Sequence, residues 1–286
     1  QGRVKFTFFW AEALGKSADH YDMAANGIAD IICAAPLHTP GRFPLASVDD
    51  LPFMVPNATV GSQAIMELYE KDLKGVEFKE VKMLAFITSP NRQIHTSKKL
   101  IRTLEDIKGV KIRVTGEVPG KAIQLLGGVP VAMPGLEVYT AVERGTVDGH
   151  VAEWELHYAY KTYEIAKYST VVNLVSGATI LVMNIGSYER LPADAKKVMD
   201  DLSGAWFAEY AGKIHDRMND RRFEEMQKSG ITVYYLPENE KKRWVDAVTP
   251  QYDSWIKQME DKGLPGRKVF DDMRALVEKY SKIAKP

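Results

Sequence analysis

Arg113 is the residue whose type and place say most about chemistry. In Val110-Lys-Ile-Arg-Val114 the apolar residues alternate, so the segment reads as a strand with Arg113 near its carboxyl end, the edge where open α/β sheets bind ligands. A guanidinium there offers a planar fork that takes a carboxylate in two parallel, charge-assisted hydrogen bonds. A solvated strand arginine fits the same pattern. Trp10, Trp154 and Tyr139 are candidates for flat apolar walls, or simply for core. Gly116-Glu-Val-Pro-Gly120-Lys121 follows the same strand, but three residues instead of four part its glycines and Ala122 stands where a phosphate loop needs Ser or Thr. The turn can still aim backbone N–H groups at an anion; an ordinary turn fits equally.

His150, Glu153 and His157 fall at i, i+3 and i+7 and would share one helical face, a conceivable divalent-metal set. His-Glu-x-x-His spacing is absent and aromatic Trp154 and Tyr158 accompany the set, so no metal is expected. Cys33 with His38 would make a thiolate pair, yet Cys33 ends an apolar strand and is expected to be buried and inert. No nucleophile elbow, no dinucleotide-binding glycine turn and no isolated carboxylate pair in an apolar setting is read from the sequence. The expectation is a protein without cofactor or catalytic residues, not an enzyme.

The elements that must position these residues follow from length and pattern. The chain has 286 residues, 38 Lys+Arg against 38 Asp+Glu, 45% hydrophobic and 27% charged, enough for two modest domains with their own cores. Zero net charge, with nothing more basic than the scattered His95, Lys98, Lys99 and Arg102, leaves no footprint for nucleic acid. The most apolar stretch, Val171 to Ile185, is too short and too interrupted to span a bilayer. Cys33 is the single cysteine, so no internal disulfide forms.

Strands are predicted over Val4 to Phe9, Ile28 to Ala34, Val81 to Ile87, Val110 to Val114, Val129 to Met133 and Ile180 to Asn184, with helices over Ala18 to Asn26 and Pro119 to Leu126. The alternation predicts α/β architecture with parallel sheets covered by helices. Pro192 to Ser229 reads as one helix, about 55 Å long at about 1.5 Å per residue, lying across two lobes. Helices over Glu238 to Lys262 and Lys268 to Lys282 close the chain.

Several stretches together resemble the periplasmic solute-binding proteins of tripartite ATP-independent periplasmic (TRAP) transporters, of the dicarboxylate-binding type. The carriers are Glu12-Ala-Leu-Gly15, Gly27-Ile-Ala-Asp30, Thr39-Pro-Gly-Arg-Phe-Pro-Leu45 with Leu51-Pro-Phe53, and Asp106-Ile-Lys-Gly-Val-Lys-Ile-Arg-Val114. Leu126-Gly-Gly-Val-Pro-Val-Ala-Met-Pro134, Glu137-Val-Tyr-Thr-Ala141, Arg144-Gly-Thr-Val-Asp-Gly149, Val182-Met-Asn184 and Leu191-Pro192 continue them in order, from Val4 to about Leu276. The resemblance implies a two-lobed Venus-flytrap fold with a long helix shared by both lobes. Residues 1–88 and 178–215 would form lobe I, 89–177 and 216–250 lobe II, and 251–286 C-terminal helices packed on them. Family members begin with a strand and helix ahead of the segment equivalent to Arg3-Val4, so lobe I is expected without them here.

Carried over by position, Arg113 matches the family's carboxylate-clamping arginine, and Arg92-Gln93 a second pocket position. Gly116 stands where some members have a polar pocket residue, and Gly135 where sugar-acid binders have an aromatic, which implies room for a bulkier ligand. Ala152, then Glu153 and Trp154, replace a carboxylate-binding Asn region; Ala35, Pro36 and His38 stand where others carry acidic contacts, and Thr179 completes the set. The implied ligand is a monocarboxylate with an apolar or aromatic body, stacked on Trp154 or Trp10. Interlobe closure would capture it and a TRAP permease in the membrane would receive it. The implied location is the periplasm of a Gram-negative bacterium, with the signal peptide absent from this chain, and the expected state is a monomer.

Overall fold

The computed structural model describes residues 4–10 and 12–283. Helix α1 (His20–Ala25) leads into β1 (Ile31–Ala34), and α2 (Ala58–Leu68) into β2 (Val81–Thr88). Then come β3 (Arg92–Thr96), α3 (Leu104–Ile107), β4 (Lys111–Val114), α4 (Glu117–Leu125), β5 (Val129–Ala132), α5 (Val138–Glu143), β6 (Gly149–Ala152), α6 (Trp154–Ala159), β7 (Tyr168–Val175) and β8 (Ala178–Asn184). The C-terminal part comprises α7 (Ile185–Glu189), α8 (Ala193–Asp201), α9 (Ala205–Gln227), β9 (Thr232–Tyr235), α10 (Glu238–Val248), α11 (Pro250–Asp261) and α12 (Gly266–Ile283).

Two sheets organise two lobes. The first has the order β1-β8-β2 and is antiparallel throughout, with Ile32 opposite Val182 and Thr88 opposite Ala178. The second, β5-β4-β6-β3-β7-β9, is parallel at its ends and antiparallel around β3. The expected all-parallel sheets are therefore corrected. Strands carry the chain between the lobes twice, β2 into β3 and β7 into β8, with the outgoing and returning strands side by side in opposite directions; α9 and the passage from α10 to α11 cross again. At the crossing the Ser89 N–H donates to the Gly177 carbonyl at 2.8 Å.

Each lobe has its own apolar core. Tyr21, Phe43, Phe78 and Phe86 interlock in the first, where Trp255, Phe270 and Met273 of α11 and α12 also lie. Ile94, Ile112, Ile123 and Leu174, with Trp244 of α10, fill the second.

Val4–Phe9 forms no strand. Among the described residues nothing pairs with it, and unpaired strand backbone is not stable alone; Phe6 and Trp10 each stack on Phe8 in the open instead. The predicted helix from Pro192 to Ser229 is broken after Asp201: Gly204 adopts φ 65° and its N–H donates to the carbonyl of Leu84, at the bulge of β2, at 2.6 Å. The second piece, α9, runs 23 residues, about 35 Å at ~1.5 Å per residue, and packs on α2 in one lobe and α6 in the other. The helix expected over Glu238 to Lys262 divides at Thr249-Pro250, where Pro250 starts α11.

Candidate functional site

Arg113 is 3% exposed on β4, in register with Val131 of β5 and His150 of β6. Its Nε and Nη2 donate to the Met133 carbonyl at 3.1 and 2.9 Å, which fixes the plane of the fork. Among the described residues no carboxylate reaches ion-pair distance of it. Burial lowers its pKa; Tyr160 and Glu153 nearby oppose that, and the Arg92 guanidinium adds to it.

Arg92 opens β3 directly after the first crossover. Its Nε lies 3.3 Å from Glu153 Oε2, and its guanidinium rests so close on Gly177, in the second crossover, that a Cβ there would strike Nη2. Glu153 sits immediately before α6 and is 8% exposed. The ion pair lacks hydrogen-bond alignment at both atoms.

From the other lobe, the short turn Pro36–His38 after β1 brings His38 toward both guanidiniums; burial, then the charge of Arg92, lowers its pKa, so the imidazole is neutral. Pro36 is buried and, with Leu37, Asp50 and Gly116, lines an interlobe groove of about 460 Å³. Leu37 is also the nearest side chain to Gly116, the residue preceding α4.

Asp49 and Asp50 were not singled out from the sequence, and they overturn the reading that no carboxylate pair sits in an apolar setting. Both are buried at the crossovers. Asp49 Oδ1 accepts the Thr88 hydroxyl at 2.9 Å, and Ser176 Oγ donates to the Asp49 carbonyl at 2.8 Å. Burial, then the neighbouring Asp50, pushes the Asp49 carboxyl up to about 8. Burial raises Asp50 to about 6 against the pull of Arg92. The available signal was two adjacent acids inside the apolar stretch from Phe43 to Met54.

Other candidates are placed elsewhere. Gln93 is consumed by backbone: Oε1 accepts the N–H groups of Val172 and Asn173, both at 2.9 Å, and Nε2 donates to Asn91 O and Asn173 Oδ1. Trp154 is 4% exposed and packs on Phe223 and His95, inside the lobe rather than on a cleft wall. Trp10 is 74% exposed and stacks on Phe8. Tyr139 lies at the surface beside Glu164. Thr179 pairs with Ile87 within the first sheet. Cys33 is exposed, because it occupies the outward position of β1. The room expected at Gly135 is taken: a Cβ there would meet the hydroxyl of Tyr160, with its ring Cζ 2.7 Å away.

His150 and His157 do not share a helical face, since His150 belongs to β6 and only His157 to α6. They meet nonetheless, His150 Nε2 lying 3.1 Å from His157 Nδ1, and His157 stacks on His95 with ring centroids 3.7 Å apart. His95 Nε2 donates to the Ala152 carbonyl, so its Nδ1 accepts the Ser169 hydroxyl at 2.9 Å. Burial holds His95 at about 3 and the other two well below their ordinary value. The trio is a neutral core behind the Arg113 strand.

A two-lobed α/β fold with a buried, uncompensated arginine at the ends of its second sheet defines a binding protein for organic acids. Residues 1–258 match the family of bacterial extracellular solute-binding proteins, family 7, and the chain belongs to it. A TRAP solute-binding protein from Rhodoferax ferrireducens, solved with copurified benzoate, is 31% identical with a TM-score of 0.91, over 95% of this chain and 85% of that one. A marine-metagenome TRAP protein specific for aromatic acids, solved with 3-hydroxybenzoate, is 32% identical with a TM-score of 0.89, over 94% of this chain and 85% of that one. The 2,3-diketo-L-gulonate-binding periplasmic protein YiaO of Escherichia coli is 23% identical over 91% of this chain and 79% of its own length.

Proposed function

We propose that this protein captures an aromatic monocarboxylate between its lobes and delivers it to a TRAP-type permease from the periplasm. The observation that carries the reading is Arg113, buried without a carboxylate partner and with its fork already oriented by Met133. A buried charge is stable only when paired, and a carboxylate ligand supplies the pair. Arg92 is answered internally by Glu153, which leaves one cation for one anion and favours a monocarboxylate over a dicarboxylate. The benzoate and 3-hydroxybenzoate of the two similar structures support an aromatic body. Closure about residues 89–91 and 176–177 brings His38 of lobe I over the bound acid and favours the closed state.

The test is a thermal-shift and calorimetric comparison of benzoate, 3-hydroxybenzoate, succinate and glucuronate. A ligand at about a hundred times its Kd stabilises by ~2.7 kcal/mol, a rise of roughly 4–5 °C in Tm for a chain of this size. The aromatic acids are expected to produce it. A response confined to succinate or glucuronate overturns the reading.

A further inference from the structure

We propose that Tyr160 is the second clamp of the site, its phenolic O–H donating to the same carboxylate that Arg113 binds, and that Gly135 is the gap that lets it stand there. This rests on the monocarboxylate reading above. Three structural links place the two donors together. Arg113 is tied to the Met133 carbonyl by two N–H bonds. Met133 and Tyr160 pack on the same small apolar cluster around Val138, Val142 and Val147. Two residues beyond Met133, Gly135 gives its side-chain space to the Tyr160 hydroxyl. That hydroxyl has no hydrogen-bond partner among the described residues, whereas Tyr21, Tyr188, Tyr252 and Tyr280 each donate to an oxygen. Tyr160 follows the last residue of α6, the helix Glu153 precedes. One short helix thus carries at its two ends the acid that answers Arg92 and the hydroxyl that faces Arg113. The neighbourhood is electrostatically shared: Arg113 and Tyr160 each feel the other's charge, and burial raises the phenol pKa, keeping it a donor. A carboxylate has two oxygens and about four acceptor positions, more than one oriented guanidinium edge can fill.

The test is isothermal titration of benzoate and 3-hydroxybenzoate into the wild type and the variants Tyr160→Phe, Tyr160→Ala, Gly135→Ala and Tyr160→Ala/Gly135→Ala, with melting curves as a folding control. Tyr160→Phe keeps the ring and removes the donor; it is expected to weaken binding about 10- to 100-fold with Tm unchanged, the loss of one hydrogen bond to a charged group. Gly135→Ala is expected to weaken binding similarly by displacing the hydroxyl, yet to add no further loss once Tyr160 is Ala. Unchanged affinity in Tyr160→Phe, or additive losses in the double variant, overturns the proposal. A wild type that binds neither acid, while binding another class, overturns the aromatic-acid reading instead, so the two failures are distinguishable.

Discussion

Asp216 and Asn219 stand one turn apart on α9 and accept hydrogen bonds from the N-termini of helices in opposite lobes. Asp216 takes the N–H groups of Ala58 and Thr59 at 2.9 and 2.8 Å and the Thr59 hydroxyl at 2.6 Å, all at the start of α2. Asn219 Oδ1 takes the Trp154 N–H at 3.0 Å, at the start of α6. The long helix is therefore fastened to both lobes through backbone donors that have no partner within their own helices.

Asp216→Ala is expected to destabilise more than Asn219→Ala. The first removes three bonds to a charged acceptor, each about 1.5–3 kcal/mol before solvent screening, and lowers Tm by roughly 3 °C or more. The second removes one neutral bond, about 1 kcal/mol. Thermal melts of the two variants decide it; equal losses, or the reverse order, would contradict the assignment.

Arg113→Ala is expected to lower affinity for the bound acid at least tenfold, about 1.4 kcal/mol, without lowering Tm, because burying an unpaired guanidinium is itself unfavourable. Calorimetric titration and a melt of the apo protein check both halves. Unchanged affinity would remove Arg113 from the site.

The three packed histidines predict a pH response. Their folded pKa values lie below the unfolded value of about 6.5, His95 at about 3. The stability they contribute is whole above about pH 6.5 and is lost as pH falls from there toward 3. Proton NMR should show three of the six histidines without titration between pH 8 and 5. A midpoint near 6.5 for any of His95, His150 or His157 would rule this out.

Asp49 acts in the opposite sense. Its folded pKa of about 8 exceeds the unfolded value of about 3.9, so its contribution is whole at low pH and is lost as pH rises toward 8. Asp49→Asn is expected to flatten that decline, its Tm gaining on the wild type steadily from pH 5 to pH 8. A constant difference across that range would show that Asp49 is already ionised.

Much of this was legible in the sequence, and the exceptions share a cause. The strands around Val81, Lys111, Val129 and Ile180 show apolar runs or alternation and were read near their true bounds. β3, β6 and β7 carry Arg92, Gln93, His95, His150, Ser169 and Asn173, whose partners are supplied by tertiary contact, so local polarity hid them. The helix break at Gly204 answers to Leu84, a residue 120 positions earlier. Arg113 could be read because its strand pattern and residue type agree. The Asp49-Asp50 pair had a local signal, two acids within an apolar stretch, but its burial against Thr88 and Ser176 is tertiary; nothing local marks Tyr160, whose place depends on a missing side chain at Gly135.

The side chain of Gln93 sews a bulge shut: between Arg92 and Ile94 the pairing with β7 slips, and the amide binds Val172, Asn173 and Asn91 across the gap. That stitch holds the register of β3 against β7 where the two strands enter the second lobe. Arg92, the first residue of β3, is thereby fixed beside that stitch, between Glu153 and Gly177. Arg113, two strands away on β4, is held instead by the Met133 carbonyl. The two guanidiniums of the second lobe are thus anchored independently, one at its seam and one within its sheet.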